Sequence, residues 1–96
     1  MEYIITFKNT NLAIKAEQCL LEMKLHVSVL PLPSQISAGC GICLRIDQNE
    51  IKAALGSLAD NEIGGIGLFS RATQNGLFIY EEVSPQGIRH KALKFE

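Results

Sequence analysis

Apolar positions follow two rhythms along this chain. Tyr3 to Phe7 is a short aromatic and β-branched run, which predicts a first strand. Asn9 and Thr10 come next, and both are favourable helix N-caps. From Leu12 to Lys24 the apolar residues Leu12, Ala13, Ala16, Leu20 and Met23 share one helical face, with Lys15, Gln18 and Glu22 opposite. Cys19 lies beside that face, so core packing is its expected role. His26 to Leu32 is rich in Val and Leu and predicts a second strand. Pro31 and Pro33 stop it or mark it as an edge, because proline cannot donate to a ladder. Ser34 to Gly41 is small and polar and reads as a loop. Ile42 to Ile46 predicts a third strand. Asp47 and Glu50 have capping-box spacing, and Ile51, Ala54, Leu55 and Leu58 line one face of the helix they would open. Asp60 to Gly65 breaks that helix. Ile66 to Ser70 and Leu77 to Val83 predict two further strands. Ser84-Pro85-Gln86-Gly87 has type I turn chemistry, and Ile88 to Phe95 could return as a short sixth strand.

The order β-α-β-β-α-β with a C-terminal hairpin predicts an α+β fold, the ferredoxin-like split βαβ sandwich. Both helices would cover one face of a largely antiparallel sheet. At 96 residues the chain is expected to be one domain spanning 1–96, with a modest core. No repeat, low-complexity tract or linker interrupts it.

Charge and composition narrow the function classes. The formal net charge is −1 and the nine Lys and Arg are scattered, so the basic stripe of a nucleic-acid binder is missing. No apolar segment approaches the roughly 18 residues of a membrane span. The start, Met1-Glu2-Tyr3-Ile4, opens on an acid and runs directly into a strand, unlike a signal peptide. With three cysteines, an odd number, the expected setting is a reducing cytoplasm without structural disulfides.

The candidate chemistry centres on Ser37-Ala38-Gly39-Cys40-Gly41-Ile42-Cys43-Leu44-Arg45. Cys40 stands between two glycines, which leave its sulfur uncovered, so the expectation is a thiol presented to solvent or to a partner. In the predicted topology the loop before β-strand three shares an end with Lys8, Asn9, Thr10 and the first amides of helix one. A helix N-terminus carries about half a positive charge, which stabilises a nearby thiolate. Lys8 would add to this, and Arg45 could if it emerges on the right side. Ser37 could supply a hydroxyl, and the Gly39 and Gly41 amides backbone donors.

Other chemistries fit less well. Cys40-Gly41-Ile42-Cys43 is a C-x-x-C, but a thioredoxin-like motif opens a helix, whereas here a strand continues through Leu44-Arg45-Ile46. Cys40 sits in the loop and Cys43 in the strand, so Cys43 reads first as a small core residue. If it reaches Cys40 it could resolve a sulfenic acid or persulfide as a disulfide. Zinc needs about four ligands, and Cys19, Cys40, Cys43, His26 and His90 form no second close pair, so no metal and no cofactor is expected. Gly64-Gly65-Ile66-Gly67 precedes a strand, the wrong context for a phosphate loop. Glu81 and Glu82 are adjacent in a strand and point to opposite faces. Arg89, His90 and Lys91 are too short a run for a basic patch.

Phe7, Thr10, Ala13, Glu17, Pro31, Pro33, Ile36, Ser37, Cys40, Gly41, Leu44 and Arg45 occur in an order that resembles the selenium/sulfur carrier-like family of small bacterial domains. The distinctive part covers residues 3 to 46. The resemblance implies that the cysteine of Cys40-Gly41 carries sulfur or selenium as a persulfide or selenosulfide. It also implies protein donors and acceptors, such as a cysteine desulfurase, and the role of a cosubstrate more than of an enzyme with its own turnover. Cys43 departs from the family pattern, which leads one to expect a small residue there. The competing expectation is a regulatory or scaffold domain acting through protein association, with Cys40 merely packed. Under either reading Phe78 and Tyr80, on the C-terminal hairpin, could feed a homodimer interface.

Overall fold

In the computed structural model, which describes residues 1–85, seven elements follow one another. They are β1 (Glu2–Thr6), α1 (Thr10–Glu22), β2 (Val27–Pro31), β3 (Ile42–Asp47), α2 (Ile51–Asp60), β4 (Gly67–Gln74) and β5 (Leu77–Glu82). The strands form one antiparallel sheet in the order β2-β3-β1-β4-β5. The described residues are thus α+β, with five strands and two helices. β1 lies between β3 and β4, with Ile4 opposite Arg45 on one side and Phe69 on the other.

Strand alternation divides the sheet into two faces. Ile5, Leu44, Ile46 and Leu68 point to the helices and pack with Ala13, Ala16, Leu20, Ala54, Leu55 and Leu58. Ile4 and Cys43 point the other way, under Ile36, Leu30, Leu32, Phe69 and Tyr80. The segment between β2 and β3 therefore touches both faces: Ile36 belongs to the second cluster and Cys40 to the first.

Asn9 caps α1, its Oδ1 accepting from the Leu12 N–H at 2.9 Å. Both helices end in the same way. The Leu25 N–H donates to the Leu20 carbonyl and the Ile63 N–H to the Leu58 carbonyl, with Lys24 and Glu62 left-handed at φ 62° and 59°. This exit exposes Met23, which periodicity assigns to the apolar stripe.

Two expectations need correction, and a third is not reached. Asp47 and Glu50 do not form a capping box: the Glu50 side chain makes no cap bond to α2. Its carboxylate instead accepts from the His26 N–H at 3.0 Å and meets His26 Nδ1 at 3.2 Å. β4 runs past Ser70 to Gln74, because Asn75 and Gly76, at φ 54° and 79°, make a tight two-residue hairpin loop to β5. The expected sixth strand, with Gln86 and Gly87 of its turn, lies outside the described residues, as does the Arg89-His90-Lys91 run.

Candidate functional site

At one end of the sheet three connections converge. A Cβ built on Gly39 would collide with the backbone carbonyl oxygen of Lys8, so the loop before β3 lies directly on the turn between β1 and α1. Only glycine permits so close an approach. A Cβ on Gly65, which is left-handed at φ 68°, would collide with the Lys8 side chain. Lys8 therefore lies over the turn that follows α2. Gly41 has open space around its Cα, and its carbonyl accepts from the Leu32 N–H at 2.9 Å, closing the base of the loop.

Cys40 is held in this junction. Its Sγ lies 3.6 Å from the Oγ1 of Thr10, the first residue of α1. The helix start that topology placed beside the thiol is there, with its positive dipole end and its Asn9 cap. The expected exposure is not. Cys40 is 2% exposed and packs in the helix-side core, while Ser37, Ala38, Gly39 and Gly41 around it are exposed. Gly39 lets the loop press onto Lys8, and the sulfur that lack of side chains was expected to bare is turned against Thr10 and into the helix-side core.

The other site candidates divide. Lys8, Thr10, Gly39 and Gly41 gather at the junction. Ser37 is on the exposed part of the loop, and among the described hydrogen bonds it makes none to Cys40. Arg45 does not join the group. Alternation along β3 puts it on the face away from the helices, where its guanidinium bonds Glu2 and, at 2.8 Å, Ser28 Oγ. Glu2 also binds Arg71, so one carboxylate bridges two arginines. The Arg71 hydrogen bond, reinforced by Arg45, holds the Glu2 carboxyl below the usual range against the opposing effect of burial. Arg71 lies 4.2 Å from the centre of the Phe78 ring. This network escaped the sequence reading, although alternation on three separate strands was its signal.

Cys43 also faces away from the helices. It is fully buried, its Sγ 3.7 Å from the Pro31 carbonyl, and burial pushes its thiol pKa up. The two members of the C-x-x-C therefore lie on opposite faces of the sheet. Cys19 is half-buried and lines an open groove of about 510 Å³ with Met23, Ala53, Gly56 and Ser57, a groove that Cys40 does not line. Among the described residues no three His, Cys, Asp or Glu side chains gather as a metal-binding set. No described helix is long and apolar enough to cross a membrane.

Comparison with known proteins gives one family. The model of the family described as "Putative Se/S carrier protein-like" matches residues 2–70, from the start of β1 into β4. No curated protein and no solved structure matches the chain.

Proposed function

We propose, from the premise that this chain belongs to the Se/S carrier protein-like family, that Cys40 is the atom that takes up and hands on the cargo. The observation that carries this reading is the thiol placed against Thr10 at the start of α1. The Cys40 thiolate attacks the outer sulfur of a donor protein's persulfide. A new S–S bond forms on Cys40, the donor's S–S bond breaks, and the donor cysteine leaves as a thiolate. Attack by an acceptor's thiolate on the outer sulfur reverses the sequence and restores Cys40. Selenium would travel in the same way as a selenosulfide. The start of α1 and the Thr10 hydroxyl face the sulfur at which each step takes place. Lys8 adds a positive charge nearby, and Ser37 with the Gly39 and Gly41 amides lines the approach. The protein is a cosubstrate of donor and acceptor proteins in a reducing compartment. The strand order, with each helix linking strands separated by a third, supports reading the fold as the ferredoxin-like split βαβ arrangement.

Incubation with a cysteine desulfurase and cysteine should add one sulfur atom by intact mass. Cys40→Ser should abolish the gain, and Cys43→Ser and Cys19→Ser should retain it. No gain in any form, or a gain that survives Cys40→Ser, refutes the assignment.

A scaffold role is the second reading. The burial of Cys40 favours it, together with exposed Leu77, Phe78 and Ile79 on β5, one of the two edge strands of the described sheet. Under that reading the chain associates through β5, as a homodimer or with another protein, and Cys40 gains no sulfur.

A further inference from the structure

We propose that residues 32–41 form a strap that closes over Cys43 and buries its own Cys40, and that its opening as one unit is the step that admits any reagent to either thiol. The strap leaves β2, seats Ile36 beside Cys43 and Ile4 on one face of the sheet, passes round the sheet end, and delivers Cys40 to the helix-side core. Ile36 is 6% exposed, Cys40 2% and Cys43 0%, whereas the strap residues between Ile36 and Cys40 are exposed. The strap is thus pinned on both faces and spans open solvent between the pins.

Its ties are few. The Leu32 N–H donates to the Gly41 carbonyl across the base, the Ile36 N–H donates to the Pro33 carbonyl, Gly39 rests on Lys8, and the Cys40 Sγ meets Thr10 Oγ1 at 3.6 Å. These can break while the ladders of β1, β3 and β4 stay intact, the pattern of a low-energy local opening. Ile36 and Cys40 are four residues apart on one short segment, so lifting either pin strains the other. The consequence deepens the sulfur-carrier reading, on which its significance rests: a donor must meet the strap before it meets the sulfur. While the strap is shut, Cys43 packs in the cluster on the face away from the helices and Cys40 in the helix-side core, so Cys43 is not turned toward a persulfide on Cys40.

Alkylation tests this with the unmodified full chain, because half-buried Cys19 is an internal reference. Iodoacetamide labelling, followed by peptide mass mapping, should modify Cys40 and Cys43 at least tenfold more slowly than Cys19. Ile36→Ala should speed Cys40 and Cys43 together at least tenfold, leaving Cys19 unchanged. Labelling of wild-type Cys40 as fast as Cys19 overturns the proposal. So does acceleration of Cys43 alone, or of all three thiols in step, which is unfolding of the whole chain. Hydrogen exchange on the wild type gives a second reading: the Leu32 and Ile36 amides should exchange at least tenfold faster than those of β1. Exchange of both sets at one common rate overturns it. No donor protein enters either assay, so failure of sulfur uptake and failure of the strap are separable.

Discussion

Two glycines flank Cys40, and the structure assigns them opposite tolerances. In Gly39→Ala the new methyl would sit 3.0 Å from the Lys8 carbonyl carbon and 3.4 Å from its Cα, and closer still to the oxygen. Every one of those atoms is backbone, so relief requires the strap or the β1–α1 turn to move. Overpacking of this kind costs about 1–3 kcal/mol. For a chain of this size each kcal/mol lowers the melting temperature by about 4–8 °C, so Gly39→Ala should melt on the order of 10 °C below the wild type. In Gly41→Ala the methyl meets nothing within 4 Å, and the residue is not left-handed. That change should be neutral, or stabilising by up to about 1 kcal/mol through lost freedom of the unfolded chain. Thermal and urea unfolding of the two variants side by side is the assay. Equal melting temperatures, or greater damage from Gly41→Ala, would show that the strap does not rest on Lys8.

Further expectations concern other contacts. Asn9→Ala removes the α1 cap and should cost about 1 kcal/mol, read from urea midpoints. Lys24→Gly and Glu62→Gly should each stabilise by about 0.5–1 kcal/mol, since both positions are left-handed ends of helices; a loss of stability would refute this. Glu2→Gln tests the two-arginine bridge. The folded carboxyl titrates below its unfolded value of about 4.3, so its contribution is fully present above that pH and is lost as pH falls through the folded value. The stability gap between wild type and Glu2→Gln should therefore be constant near neutrality and close on acidification, and a gap independent of pH would contradict the pairing. Thr10→Val should leave stability within about 1 kcal/mol but slow sulfur uptake on Cys40 several-fold; unchanged uptake would remove Thr10 from the site.

Periodicity and turn chemistry made much of this architecture legible. Ile51, Ala54, Leu55 and Leu58 are buried as their spacing requires, and Asn9 caps α1 as its chemistry suggests. The convergence of Lys8, Thr10 and Cys40 followed from chain reversals alone, because each helix or hairpin returns the chain to the opposite end of the sheet. Long-range choices were not legible. Glu50 has the spacing to cap α2, yet a partner 24 residues away, His26, takes its carboxylate. Arg45 looked like a neighbour of Cys40 by position, but strand parity sends it to Glu2 and Ser28 on the other face. Gly39 and Gly41 are alike in sequence, and only tertiary packing reveals that one is pressed against Lys8 and the other is free. The burial of Cys40 has the same origin: local composition describes the loop, while coverage of the sulfur depends on what the loop lies against.

The central claim concerns the location of the transferred sulfur. After loading by a desulfurase, persulfides can be trapped by alkylation and assigned to individual cysteines by tandem mass spectrometry. The account predicts a persulfide on the peptide containing Cys40, attached to that residue, with Cys19 and Cys43 recovered as simple thiols. A trapped persulfide on Cys19 or Cys43, with Cys40 unmodified, would contradict it.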